Sequence, residues 1–132
     1  MKRDDAYRRL SKILSDEHLI LHDECWREIK KLVFGTGQEV PFLKKLTRRI
    51  DKLLREGNSA IGTEGIEKLS NASDLYSMHV DTQTLNIRIL FAFRSRGTQL
   101  LLLAFHEREG KKSTDYSNKI PLAQQRLENL NI

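Results

Sequence analysis

Between Leu75 and His106 the spacing of apolar residues drops to two, after a first half in which they recur every three or four positions. This change of period most constrains the fold, because a period of two belongs to strands and a period near 3.6 to helices. In "LYSMHV", Tyr76, Met78 and Val80 alternate with Leu75, Ser77 and His79. In "NIRILFAF", Ile87, Ile89, Phe91 and Phe93 alternate with Arg88, Leu90 and Ala92. With "DTQT" and "RSRG" as turns, the spacing predicts a three-stranded antiparallel meander that ends in "TQLLLLAFH".

The first half reads as helices. Tyr7, Leu10 and Leu14 share one face of a helix over 4–17, followed by a short apolar strand, "HLILH". Asp23 is placed to cap a helix over 24–34 with Trp26, Ile29 and Val33 on one stripe. "GTGQEV" breaks the pattern, and a further helix over 41–57 starts near Pro41 and stops at Gly57, which predicts a helical hairpin. Residues 58–71, rich in Gly, Ser, Asn and Thr, read as a loop interrupted by "IEKL". A last helix over 120–130 carries Ile120, Ala123, Leu127 and Leu130 at helical spacing, with Pro121 in its first turn. Helices segregated from an antiparallel sheet define the α+β class.

At 132 residues the chain suits one domain over 1–132, with 1–16 as an N-terminal helical extension. Twenty-three Lys and Arg against eighteen Asp and Glu leave a net charge of +5, which favours an acidic partner such as nucleic acid. No stretch approaches the roughly 20 apolar residues of a membrane span, so no membrane partner is expected. A lone Cys25 and a start without an apolar signal region lead to the expectation of a cytoplasmic protein.

Strand parity singles out the residues able to carry chemistry. If Ile87, Ile89, Phe91 and Phe93 face the helices, Arg88 points to the opposite face, solvated or gripping phosphate. His79 falls on that same face. The third strand is apolar on both sides, so parity leaves the direction of His106 open. Beyond it "HEREGKKSTDY" gathers His106, Arg108, Lys111, Lys112 and Tyr116, a group suited to proton transfer and phosphate binding at the rim of an open sheet face. Lys44, Lys45, Arg48, Arg49 and Lys52 give the helix over 41–57 a basic side. "GTG" lacks the continuation of a phosphate-binding loop, and His18, His22 and Cys25 lack a fourth ligand, so no metal is expected.

The helical pair, "DLYSMHV", "IRILFAF" and "LLLLAFHEREGKKSTDYSNKIPLAQQRL" together resemble the RelE/ParE toxin superfamily of bacterial type II toxin–antitoxin modules, in its HigB-like, phage-related branch. There a strand ending in Phe precedes a basic cluster and a short helix containing an Ala. The match runs over roughly 17–130 and is best from Leu75 onward. The resemblance implies a small RelE-like microbial RNase fold, with an antiparallel sheet, a helical hairpin on one face and a short C-terminal helix. It further implies a cognate antitoxin, expected to be a helix-turn-helix DNA-binding protein, and cofactor-free cleavage of mRNA on the ribosome. Carried over by position, Arg88 becomes the phosphate clamp, His106 the base or acid, Lys111 and Lys112 added positive charge, and Tyr116 a base-stacking aromatic. Arg94, Arg96, Arg108, Lys44, Lys45 and Arg48 are the expected RNA-binding cations. Glu107 and Glu109 depart from the pattern by diluting the basic cluster. Two alternatives stay open: a ParE-like, non-enzymatic inhibitor of DNA gyrase, and an inactive member that only binds antitoxin.

Overall fold

A computed structural model describes residues 2–72, 74–94 and 97–130. Its elements are α1 (Arg3–Leu14), β1 (Leu19–Leu21), α2 (Asp23–Val33), α3 (Glu39–Glu56), a 3₁₀ turn (Gly57–Ala60), β2 (Ile66–Lys68), β3 (Tyr76–Asp81), β4 (Asn86–Phe93), β5 (Gln99–His106) and α4 (Lys112–Leu130). The α+β class holds, and the three-strand meander is present as β3, β4 and β5.

The sheet is larger than its local pattern and is not purely antiparallel. Its order is β1-β5-β4-β3-β2, with β1 parallel to β5 and the other pairs antiparallel. β2 lies in the stretch read as loop; three residues without alternation reach strand geometry only because Ile66 to Lys68 pair with Met78 to Tyr76. Gly65 supports this edge at φ +78°, its carbonyl accepting the His79 N–H at 2.7 Å while the Arg49 guanidinium occupies the space a side chain would need.

Helix ends follow local chemistry with one exchange. The His22 ring, rather than Asp23, caps α2, its Nδ1 accepting the Glu24 N–H at 3.0 Å. Gly57, at φ 57°, ends α3 as expected. The hairpin partner differs, because α3 lies along α1 and over β3 while α2 lies over β5. The N-terminal helix is therefore part of the core, burying Ala6 and Leu10.

The largest correction is α4. It starts at Lys112, eight residues before Ile120, runs 19 residues and carries Pro121 inside rather than in its first turn. It covers the second face of the sheet, where Leu90, Ala92, Leu100, Leu102, Leu103 and Phe105 form a core with Tyr116 and Ala123. Helices α1 to α3 cover the first face over Met78, Val80, Ile87, Ile89 and Phe91. The apolar residues on both sides of β5 each find a helix layer, and no open sheet face remains around them.

Candidate functional site

Parity places Arg88 on the α4 face of the sheet, opposite Ile87 and Ile89, but not in solvent. Arg88 is only 5% exposed. Its Nη1 donates to Asp81 Oδ1 at 2.6 Å and to the Ile87 carbonyl at 3.1 Å, and its Nε donates to Glu107 Oε1 at 3.0 Å. A buried guanidinium needs such partners, and two carboxylates more than neutralise it.

His79 stands directly across from Arg88 in the β3–β4 ladder. Its Nε2 lies 3.2 Å from Glu67 Oε1 on β2, and its side chain is a quarter exposed. Burial, then the Arg88 charge beside it, holds its imidazole below the ordinary histidine range against the opposing pull of Glu67. That shift favours the neutral imidazole, the form that accepts a proton.

Tyr116 closes the group from α4. Its hydroxyl shares a 2.7 Å hydrogen bond with Ser77 Oγ, and its ring meets Phe105 edge-on at 5.2 Å. Burial pushes the phenol up to about 12. With its hydroxyl engaged and the residue only 6% exposed, it is an anchor for α4 rather than a base-stacking surface. Lys112, one turn earlier, holds its Nζ 5.9 Å from the Tyr116 ring centre and 3.8 Å from Glu67. Glu67, Lys112 and Tyr116 line a cleft of about 520 Å³ between β2 and the start of α4.

The remaining expected residues scatter. A β-bulge pairs Leu90 with Leu103 but Phe91 with Leu101, so Leu102 is inserted and parity shifts along β5. His106 consequently sits opposite Ile87, on the sheet face away from Arg88, exposed, with its Nε2 accepting the Asn86 N–H at 3.2 Å. Arg108 is committed to Asp115, which accepts from its Nε at 2.9 Å and Nη2 at 2.6 Å, and this bond holds the Asp115 carboxyl below the usual carboxylate range. Lys111 is exposed beside it. Arg94 lies in the β4–β5 turn, about 20 Å along the strand from Arg88. Arg96 lies outside the described residues. Lys44, Lys45 and Arg48 belong to α3, beyond the first face of the sheet, and Lys45 Nζ donates to the Asp81 carbonyl at 2.7 Å.

Sequence reasoning missed Glu67, Asp81 and Ser77 as members of this group. The parity that pointed to Arg88 and His79 also carried Ser77, whereas Glu67 had no local signal because β2 exists only through pairing. It also missed a second ion pair, in which Arg126 Nη1 and Nη2 meet the Glu28 carboxylate at 2.8 and 2.9 Å.

Fold and site together define an α+β domain with a five-stranded mixed sheet and a polar His–Glu–Arg–Lys cluster at one end of it. No protein-family model matches the chain, and no curated protein matches it. No helix among the described residues is long and apolar enough to cross a membrane.

Proposed function

We propose that the protein is the toxin of a type II toxin–antitoxin module and cleaves mRNA without a metal, at the Glu67–His79–Arg88–Lys112 cluster rather than at His106. The observation that carries this reading is the placing of His79, bonded to Glu67 and paired across the ladder with Arg88, where Glu67 in turn lines the Lys112 cleft. In this reaction His79 takes the proton of a ribose 2′-hydroxyl, and the 2′-oxygen attacks the adjacent phosphorus. The 5′-oxygen leaves, taking a proton from solvent, so the products are a 2′,3′-cyclic phosphate and a 5′-hydroxyl. Lys112 balances the charge that develops on the phosphoryl oxygens.

The test is RNA cleavage by the purified chain, with and without ribosomes, with end-group analysis of the products. His79→Gln should lower the rate ~10²–10⁴-fold, and His106→Gln should leave it near the parent value. Cleavage that depends on His106 and not His79 would overturn the assignment.

A second reading, an inactive member that only binds its antitoxin, is favoured by the capture of Arg88 between Asp81 and Glu107. Induced expression with mRNA decay and DNA supercoiling followed separately distinguishes these readings from gyrase inhibition. Decay alone supports the toxin nuclease, loss of supercoiling supports gyrase inhibition, and neither change supports the inactive binder.

A further inference from the structure

We propose that α1 and α3 together form a second nucleic-acid surface, on the side of the sheet opposite α4, that grips the phosphate backbone of structured RNA. The observation is the convergence of cations from two helices distant in sequence. Arg9 of α1 and Lys44 and Arg48 of α3 line one cleft of about 140 Å³. Arg9 continues into a neighbouring hollow with Lys12, and Lys44 and Arg48 into another that reaches the β3–β4 turn.

All four cations are exposed and make no ion pair or hydrogen bond with the described residues, unlike Arg88, Arg108 and Arg126. The carboxylates along the same surface are occupied: Asp5 by Arg8 at 3.6 Å and Asp81 by Arg88. Ala6 and Thr47 complete the lining of the shared cleft.

The surroundings decide between polyanions. The one large apolar side chain exposed among the described residues, Leu122, is on α4, so the ridge has no wedge for a lipid surface and no apolar anchor for a protein interface. No aromatic side chain lines its clefts, which removes the stacking platform used for single strands and leaves backbone recognition of a folded or double-stranded nucleic acid. The preference for RNA over DNA rests on the cleavage reading above; the phosphate chemistry does not.

The test uses the full chain and a labelled 2′-O-methyl RNA duplex, which has no free 2′-hydroxyl to be cleaved. Binding is measured by fluorescence anisotropy between about 50 and 200 mM salt. Arg9→Gln with Arg48→Gln should raise Kd ~10-fold or more and lower the slope of log K against log salt by about 2. Arg9→Lys with Arg48→Lys should keep the slope. An unchanged slope in the glutamine variant, or loss in the lysine variant, would overturn the ridge. Tighter binding to a DNA duplex would overturn RNA as the ligand, and tighter binding to phosphatidylserine vesicles, sensitive to the same arginines, would replace it with a membrane. Because binding is read without cleavage, failure of the ridge and failure of the nuclease reading are separate results.

Discussion

At the scale of single residues, Arg88 shows how far parity reaches. Alternation correctly turned it away from Ile87 and Ile89, and the buried ion pairs then changed what its removal means. Arg88→Ala leaves the largely buried Glu107 without its cation, so urea unfolding should show a loss of roughly 1–3 kcal/mol. Adding Glu107→Gln should recover part of that loss, and additive effects of the two changes would mean the pair is not coupled. His79 supplies a pH dependence. Its folded pKa lies below its unfolded value of about 6.5, so between the two the unfolded chain binds more protons. Its share of stability is complete above about pH 6.5 and is lost as pH falls through the folded value. Denaturation midpoints measured from pH 7.5 down to 5 (~2.5 units) should fall less steeply in His79→Gln than in the parent chain.

At the scale of elements, β5 carries the most consequence. β1 pairs with it only from Gln99 to Leu101, which leaves its second half as a sheet edge. Two side chains stand in for a missing strand there: Glu28 accepts the Ala104 N–H at 3.0 Å and Arg126 donates to the Leu102 carbonyl at 2.9 Å. Protein chains commonly guard such edges against pairing with another copy. Arg126→Met breaks the Glu28 pair and uncovers the edge, and should lower stability by roughly 1–3 kcal/mol and add a concentration-dependent dimer in sedimentation experiments. A variant that is destabilised yet strictly monomeric would mean the pair stabilises without guarding the edge. The strand itself was legible as an apolar run, but the inserted Leu102 was not, since several leucines in succession give no clue to which one is extra.

At the scale of the whole molecule, α4 turns a two-layer expectation into three layers. Leu90, Leu100, Leu102, Leu103 and Phe105 lie against it, and each fully buried side chain of this size contributes about 1.5–3 kcal/mol relative to exposure. Ending the chain before Lys112 should therefore abolish cooperative thermal unfolding and expose a dye-binding apolar face. A truncated chain that melts cooperatively near the parent temperature would show that α1 to α3 and the sheet suffice. The +5 charge is likewise divided by the fold: Arg88, Arg108 and Arg126 are tied to carboxylates, while Arg9, Lys12, Lys44 and Arg48 face outward on α1 and α3.

The sequence by itself determined what depends on near neighbours. It marked three helical stretches and the second part of the fourth, the stop at Gly57, the β3–β4–β5 meander, and the shared parity of Ser77, His79 and Arg88, because helix and strand periods and positive-φ turns are local properties. Only the tertiary structure decided that β2 is a strand, that His106 faces away from Arg88, that α3 lies along α1, and that α4 covers the second face. Each of these depends on contacts between residues far apart in the chain, and such contacts leave no period in the sequence. Glu67 meets His79 across two strands, and Glu28 meets Arg126 across 98 residues, through pairing and packing that no local pattern encodes.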